Sequence, residues 1–197
     1  MIKIDSLEKF LNVINDVNSD VLYNRIDIID VLYNNIDLIK SKEILQVVKE
    51  NHTTDKSIYQ RIELNNNFCS VYAMVWFPGV GSAIHEHKNF KGVVKVIHGE
   101  LTERNFNEKE GQLTFVNKVI LNVGEKVIEK KYSIHDFINN SNTESAITLH
   151  VYYPRTLNLE GTRIFNFEDK KIGILKSSAK ATSWNLAAEH FERIYSY

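Results

Sequence analysis

A single cysteine, Cys69, stands in a chain of 197 residues. It has no partner within the chain, so an internal disulfide is excluded, and the composition fits a reducing, cytoplasmic compartment. Long hydrophobic runs are also missing. No stretch approaches the ~18 apolar residues of a membrane span. The N-terminal Met1-Ile2-Lys3-Ile4-Asp5 lacks the apolar core of a signal peptide. In that compartment the sequons Asn51-His52-Thr53 and Asn139-Asn140-Ser141 are chance matches. An excess of charge of one sign is absent too. Lys and Arg total 24 against 25 Asp and Glu, a formal net charge of -1, which gives no reason to expect nucleic acid or an anionic membrane as partner. Nor is there a Pro/Ser-rich linker, since the chain has two prolines in all. One domain able to bury a sizeable core without staples is the expectation for residues 1–197.

Three regions follow one another. Leu7, Phe10, Leu11, Ile14 and Val17 recur at i, i+3, i+4, i+7 spacing, so residues 1–55 read as a helical N-terminal region. Within it Val21-Leu22-Tyr23-Asn24 recurs as Val31-Leu32-Tyr33-Asn34, an amphipathic pattern with too few copies for a repeat architecture. Residues 56–176 read as short strands. Val71, Ala73, Val75 and Phe77 alternate with other residues, as do Val93 and Ile97 across Lys95. Turn signals recur at Asn65-Asn66-Asn67, Pro78-Gly79, His98-Gly99, Glu110-Gly111, Val123-Gly124 and Ser141-Asn142. Many strands at this spacing predict a mainly β sandwich or barrel. Residues 177–197 read as a helical tail, with Ser183 as N-cap and Leu186, Phe191 and Ile194 as the apolar face of a short helix.

The run Gly79-Val80-Gly81-Ser82-Ala83-Ile84-His85-Glu86-His87 carries the most chemistry. Residues i and i+2 of a strand share a face, so His85 and His87 can converge on one metal ion while Glu86 points away. Two partly buried strand histidines without a metal are the simpler alternative. The remaining histidines, His52, His98 and His190, fall near a helix end, in a turn and in the tail, and are not assigned to a metal. The run Lys126-Val127-Ile128-Glu129-Lys130-Lys131 reads as a solvated strand and turn.

The spacings resemble the two motifs of the cupin superfamily, which implies a jelly-roll β-sandwich. In the first motif Gly79, His85, His87 and Gly99 match, while Gly92 stands where the motif has a glutamate. In the second, Gly124, His135 and Asn139 match, and Lys130 and Tyr132 replace a proline and a glycine. The implied ligands are three neutral imidazoles, His85, His87 and His135. Without the carboxylate a divalent ion keeps its full charge, which favours an anionic ligand such as a thiolate.

A three-histidine cupin without that glutamate resembles cysteine dioxygenase. The likeness extends to Tyr59-Gln60-Arg61, to Trp76 through Glu103, to Ser133-Ile134-His135, and to Thr148-Leu149-His150-Val151-Tyr152-Tyr153-Pro154. It covers roughly residues 55 to 170. It implies an iron-dependent enzyme that converts L-cysteine and O2 to cysteine sulfinate, in cysteine catabolism. Fe(II) would sit on the three histidines, with cysteine bound through thiolate and amine. On the affinity order alone nickel, copper or zinc would bind three imidazoles at least as well, so iron comes only from the resemblance. Arg61 would hold the substrate carboxylate, assisted by Tyr59. Thr148, His150 and Tyr152 share one strand face and would form a hydroxyl–imidazole–phenol chain with Tyr152 beside the substrate; a half-buried sheet face is the plain alternative. Relatives acting on 3-mercaptopropionate have glutamine where Arg61 aligns. Gln60 is adjacent, and the two cannot both enter the pocket from a regular strand. Gly92 departs from the mammalian pattern of a cysteine crosslinked to the tyrosine, so Tyr152 is expected without a crosslink. A cis Tyr153-Pro154 bond is also implied. Two rivals remain: the same chemistry on another small thiol acid, and a metal-binding cupin without oxygenase activity. The sequence sets no oligomeric state, and a monomer is compatible with all of it.

Overall fold

The computed structural model describes residues 4–17, 26–51, 53–87, 90–109, 112–155 and 158–196. The first copy of the Val-Leu-Tyr-Asn pair and His52 lie outside the described residues. Three helices come first: α1 (Asp5–Asp16), α2 (Ile28–Asn35) and, after a 3-10 turn (Ile36–Leu38), α3 (Ser41–Glu50). Twelve strands follow: β1 (Gln60–Asn66), β2 (Ser70–Trp76), β3 (Ile84–Glu86), β4 (Lys91–His98), β5 (Leu101–Lys109), β6 (Gln112–Leu121), β7 (Lys126–Glu129), β8 (Ile134–Ile138), β9 (Ala146–Tyr153), β10 (Arg163–Asn166), β11 (Lys171–Leu175) and β12 (Phe191–Ser196). They form two antiparallel sheets, ordered β1-β2-β9-β4-β7 and β12-β11-β10-β3-β8-β5-β6. This is the mainly β, cupin-type sandwich that the strand spacing and the motifs imply. No helix among the described residues is long and apolar enough to cross a membrane.

The helices cover the outer face of the five-stranded sheet. Phe10, Ile14, Leu32, Ile36 and Ile44 are completely buried against Val71, Ala73, Val93, Leu149 and Val151. Each such side chain contributes roughly 1.5–3 kcal/mol. The opposite face of the same strands turns inward. Tyr72, Met74, Trp76, Val94, Val96 and Tyr152 pack there with Leu101, Leu121 and Phe137 of the second sheet. Both faces of β2 and β9 are therefore covered, which is why every residue of β2 is buried. Pairing in the order β2-β9-β4 places Thr148, His150 and Tyr152 in the middle of this inner face.

The helical layer is fastened by polar contacts as well. The Glu43 carboxylate accepts from the Ser6 amide (3.0 Å) and hydroxyl (2.9 Å), joining α1 to α3. Asp37 takes Lys95 at 2.7 Å and Lys126 at 2.8 Å, fixing the 3-10 turn to β4 and β7.

The C-terminal helix expected from Ser183, Leu186, Phe191 and Ile194 does not form. The segment holds a single 3-10 turn (Ala188–His190), which contains His190, and then β12, which pairs antiparallel with β11. Alternation wins over the helical spacing there. Phe191 is buried in a cluster with Ile164, Leu175 and Ala179, whereas Ile194 is 49% exposed on the other side of the strand.

Candidate metal centre and substrate cavity

His85 lies on β3 directly opposite His135 on β8, and His87 follows one residue beyond the end of β3. Glu86, between the two histidines, turns the other way and meets Arg163 at 2.5 Å. Ligand nitrogens of His85, His87 and His135 all lie within 4.8 Å of one another. The Nε2 atoms of His87 and His135 are 3.1 Å apart, and those of His87 and His85 are 3.3 Å apart. Two donor atoms, each about 2.1 Å from one ion and at right angles, would be about 3 Å apart, so the three residues fit a divalent metal.

The outer nitrogens support the same reading. His85 Nδ1 lies 2.9 Å from the Ala83 carbonyl, and His135 Nδ1 lies 2.8 Å from Glu103 Oε1. An Nδ1–H donated outward leaves the Nε2 lone pair facing inward. Burial pushes the His85 imidazole down to about 3, with positive charge on His135 and Arg61 adding to the effect. Burial likewise holds His87 well below its usual range. At His135 burial opposes protonation, but the hydrogen bond to Glu103 and the charges of Glu129, Glu103 and Asp136 outweigh it, and the imidazole is raised. His85 and His87 are thus held neutral, and His135 is the most basic of the three.

The turn before His135 is intact despite the substitutions at Lys130 and Tyr132. Tyr132 takes φ 62, the left-handed conformation that the motif's glycine would adopt at no steric cost. Its amide donates to the His87 carbonyl at 2.5 Å, while the His87 amide donates to the Ser133 carbonyl at 2.9 Å. These bonds hold two ligand-bearing segments side by side.

A cavity opens beside the histidines. Its lining includes Tyr59, Arg61, Met74, Trp76, Phe90, Glu129, Phe137, His150, Tyr152, Leu159, Thr162 and Thr182. Of the candidate site residues, Tyr59, Arg61, His85, His87, His150 and Tyr152 line it, and His135 and Thr148 lie behind lining residues, against His87 and His150. Arg61 rests over the Tyr72 ring at 4.5 Å, and its Nε is buried without a hydrogen-bond partner. Gln60 faces away and donates to the Asn51 carbonyl at 2.5 Å. Tyr59 stacks on Trp76 with ring centroids 4.5 Å apart. Its hydroxyl accepts from the Thr182 amide at 2.8 Å and lies 2.9 Å from Thr182 Oγ1. The C-terminal segment thereby closes one side of the cavity, a role that no sequence signal announced.

Thr148, His150 and Tyr152 form a continuous chain. Trp76 Nε1 donates to Thr148 Oγ1 at 2.8 Å, Thr148 Oγ1 lies 2.8 Å from His150 Nε2, and His150 Nδ1 lies 2.7 Å from the Tyr152 hydroxyl. Burial keeps His150 neutral, holding it well below its usual range. One direction of donation satisfies every group: Thr148 O–H donates to His150, and His150 Nδ1–H donates to Tyr152. The reverse would leave the buried Thr148 proton without an acceptor. The Tyr152 proton is then directed to the cavity wall, where the hydroxyl meets the Glu129 carboxyl. Burial pushes that hydroxyl well above its ordinary range, with the charge of Glu129 adding to the effect, so it stays protonated. The Tyr153-Pro154 bond is cis.

Two residues escaped the sequence reading. Glu103 supports His135 as described. Glu129, assigned to a solvated strand and turn, is only 2% exposed. Its Oε2 lies 3.5 Å from His87 Nδ1 and its Oε1 lies 3.6 Å from His135 Nε2, and neither oxygen receives a hydrogen bond of ordinary geometry. Burial pushes its carboxyl up to about 7; His135 and the Tyr152 hydroxyl oppose the rise, and Glu103 adds to it. The available signal was phase, because Glu129 shares its strand face with Val127, which packs inward. As expected, no carboxylate among the described residues joins the three histidines in the ligand cluster. A carboxylate missing from Gly92 is present on the next strand, at Gly92's own register partner.

Comparison with known proteins bears on this arrangement. A family model described as cysteine dioxygenase type I matches residues 41–161. Human cysteine dioxygenase type 1 is 28% identical over 97 residues, which is 47% of this chain and 48% of the human protein. The Danio rerio protein of the same name is 26% identical over 136 residues, covering 65% of this chain and 63% of the relative. The chain thus matches about half the length of the first of these curated relatives. Among solved structures, TT1209 from Thermus thermophilus aligns with TM-score 0.46 and 19% identity over 55% of this chain and 95% of that one.

Proposed function

Because the chain belongs to the cysteine dioxygenase type I family, we propose that it is an iron-dependent thiol dioxygenase acting on L-cysteine, with His85, His87 and His135 as the metal ligands. The observation that carries this reading is the convergence of three Nε2 atoms beside a cavity that Arg61 also lines, with its Nε buried and without a hydrogen-bond partner. Fe(II), when bound, would supply the redox chemistry that lets a thiolate react with dioxygen. The net reaction adds both oxygen atoms to sulfur and converts the thiol to a sulfinate with release of a proton.

The chain's own residues would position the reactants. Arg61 offers a carboxylate two charge-assisted bonds, and its stacking on Tyr72 limits where the guanidinium can point. Tyr59 holds the wall next to it through Thr182. The Trp76–Thr148–His150 chain fixes Tyr152 so that its hydroxyl stands at the cavity wall beside the reacting sulfur. Met74, Trp76, Phe90, Phe137 and Leu159 make the rest of the lining apolar and limit access of water. Gln60 points out of the cavity, which favours an Arg61-based carboxylate grip over a glutamine-based one.

The test is to reconstitute the protein with Fe(II) under anaerobic conditions, then add L-cysteine and oxygen. Cysteine sulfinate with matching oxygen uptake is expected, and Arg61→Gln should raise KM for cysteine more than it lowers kcat. Retained iron with no sulfinate would overturn the assignment and leave a metal-binding cupin without oxygenase activity.

A further inference from the structure

Two hydroxyls meet on the cavity wall with a proton to spare. The Tyr59 oxygen accepts from the Thr182 amide at 2.8 Å and lies 2.9 Å from Thr182 Oγ1. Among the described residues neither hydroxyl has a further polar partner. Each hydroxyl carries one proton, and a single contact between them uses one of the two. Whichever residue donates, the other O–H is left without an acceptor, although Tyr59 is 5% exposed and Thr182 3%. Buried donors are ordinarily paired. Both residues line the cavity that Arg61 lines, where the guanidinium Nε also lacks an acceptor. Only Gln60, which turns outward, separates Tyr59 from Arg61 along the chain, so the unspent donors adjoin in one wall.

The hydroxyl pair is also held in register with the metal position. The Thr182 carbonyl accepts from the Ala83 amide at 2.7 Å, and the Ala83 carbonyl lies 2.9 Å from His85 Nδ1. One residue of the C-terminal segment thus grips Tyr59 through its amide and the support of His85 through its carbonyl. Its neighbours fix its place. Ala181 is completely buried, and Asn185 Nδ2 donates to the Ser57 carbonyl at 3.1 Å. These contacts close the wall without the Thr182 hydroxyl, whose one polar contact is with Tyr59. We propose that Thr182 is a substrate-positioning residue: its hydroxyl and that of Tyr59 act as one unit that presents an O–H to the substrate carboxylate beside Arg61. This rests on the thiol dioxygenase reading of the same cavity. An ionised carboxylate only accepts, so it can take the spare O–H together with the guanidinium donors. The C-terminal segment is then part of the binding site and not only its cover.

The experiment is anaerobic calorimetric titration of L-cysteine into the Fe(II)-loaded full chain. Thr182→Val keeps the backbone bonds and replaces the hydroxyl with a methyl group. It should weaken L-cysteine about 5- to 20-fold, with iron content unchanged, and Thr182→Ser should restore the affinity to within about twofold of wild type. Because the two hydroxyls act as one unit, Tyr59→Phe combined with Thr182→Val should bind within about twofold of the weaker single variant. Losses that multiply in the double variant would overturn the proposal, as would unchanged affinity in Thr182→Val. Loss of iron from Thr182→Val would assign Thr182 to the support of His85 and overturn it too. Thr182→Ala makes the same deletion if the valine variant does not fold, and unchanged affinity in Tyr59→Phe would overturn the proposal without any Thr182 variant. Absence of L-cysteine binding by the wild-type protein would refute the reading on which the proposal rests. Coupled hydroxyls in a protein that forms no sulfinate would refute the dioxygenase activity alone.

Discussion

Adding one carbon at Gly92 tests the packing of the site most directly. An alanine Cβ there would lie 2.5 Å from Tyr152 Cδ1, 2.5 Å from the Val151 carbonyl oxygen and 3.0 Å from Tyr152 Cε1. Ordinary carbon contacts are about 3.5–4.0 Å, so the overlap is about 1 Å. Neither neighbour yields easily. The Val151 carbonyl belongs to β9, which pairs with β4 along nearly its whole length. The Tyr152 ring is enclosed by Phe90 (centroids 5.0 Å apart), His87 (5.9 Å) and Tyr72 (6.4 Å), and its hydroxyl is tied to His150 at 2.7 Å. Overpacking of this kind costs about 1–3 kcal/mol. For a chain of this length that is a drop in melting temperature of about 2–12 °C. Displacing Tyr152 should also lower kcat for sulfinate formation, while metal content stays at the wild-type level because no ligand is touched. Differential scanning calorimetry of Gly92→Ala, with metal analysis and a sulfinate assay on the same preparation, gives all three readings. A melting temperature within about 1 °C of wild type, together with wild-type kcat, would refute the packing argument.

Tyr132→Gly should stabilise the protein by up to about 1 kcal/mol, because a left-handed non-glycine conformation is relieved; chemical denaturation measures it. Asp37→Asn should cost about 1 kcal/mol at neutral pH, discounted for the exposure of Asp37, because buried Lys95 loses its partner. Hydrogen bonds from Lys126 and then Lys95 hold the Asp37 carboxyl below its ordinary 3.8. That stability is present above 3.8 and is lost as pH falls through the lowered value, so wild type and Asp37→Asn should converge in acid, which melts between pH 7 and pH 3 would check. Cys69 is completely buried and burial pushes its thiol up to about 11, so a disulfide reagent at pH 8 should label it only after denaturation.

The parts of this molecule that could be read from the chain are those in which one periodicity acts alone. Val71, Ala73 and Val75 gave β2 its outer face, and His85 with His87 gave the metal face, because strand alternation needs no knowledge of partners. The C-terminal segment could be read either way. Phe191 and Ile194 satisfy helical spacing, and only the open edge of β11 makes the strand the better choice. Glu129 was obscured by its neighbours. Lys126, Lys130 and Lys131 make the run look solvated, and Lys126 does reach outward to Asp37. Alternation places Glu129 on the opposite face from Lys126, and the second sheet covers that face. Thr182 carried no local signal at all, since its part depends on a contact with Tyr59, 123 positions away in the chain.

The charge balance of the site is not that of three imidazoles alone. With three imidazoles alone, a divalent ion would be uncompensated and would attract any thiolate. Glu103 and Glu129, both buried and both within 3.6 Å of a ligand histidine, bring two carboxylates to the same centre. Their combined charge, when both are ionised, equals that of a divalent ion. Glu103 is committed to His135 Nδ1, where it strengthens the ligand. Glu129 stands between His87, His135 and the Tyr152 hydroxyl. The glutamate absent at Gly92 is matched by a buried carboxylate on the neighbouring strand β7, so that a negative charge stands on the cavity wall rather than in the metal motif.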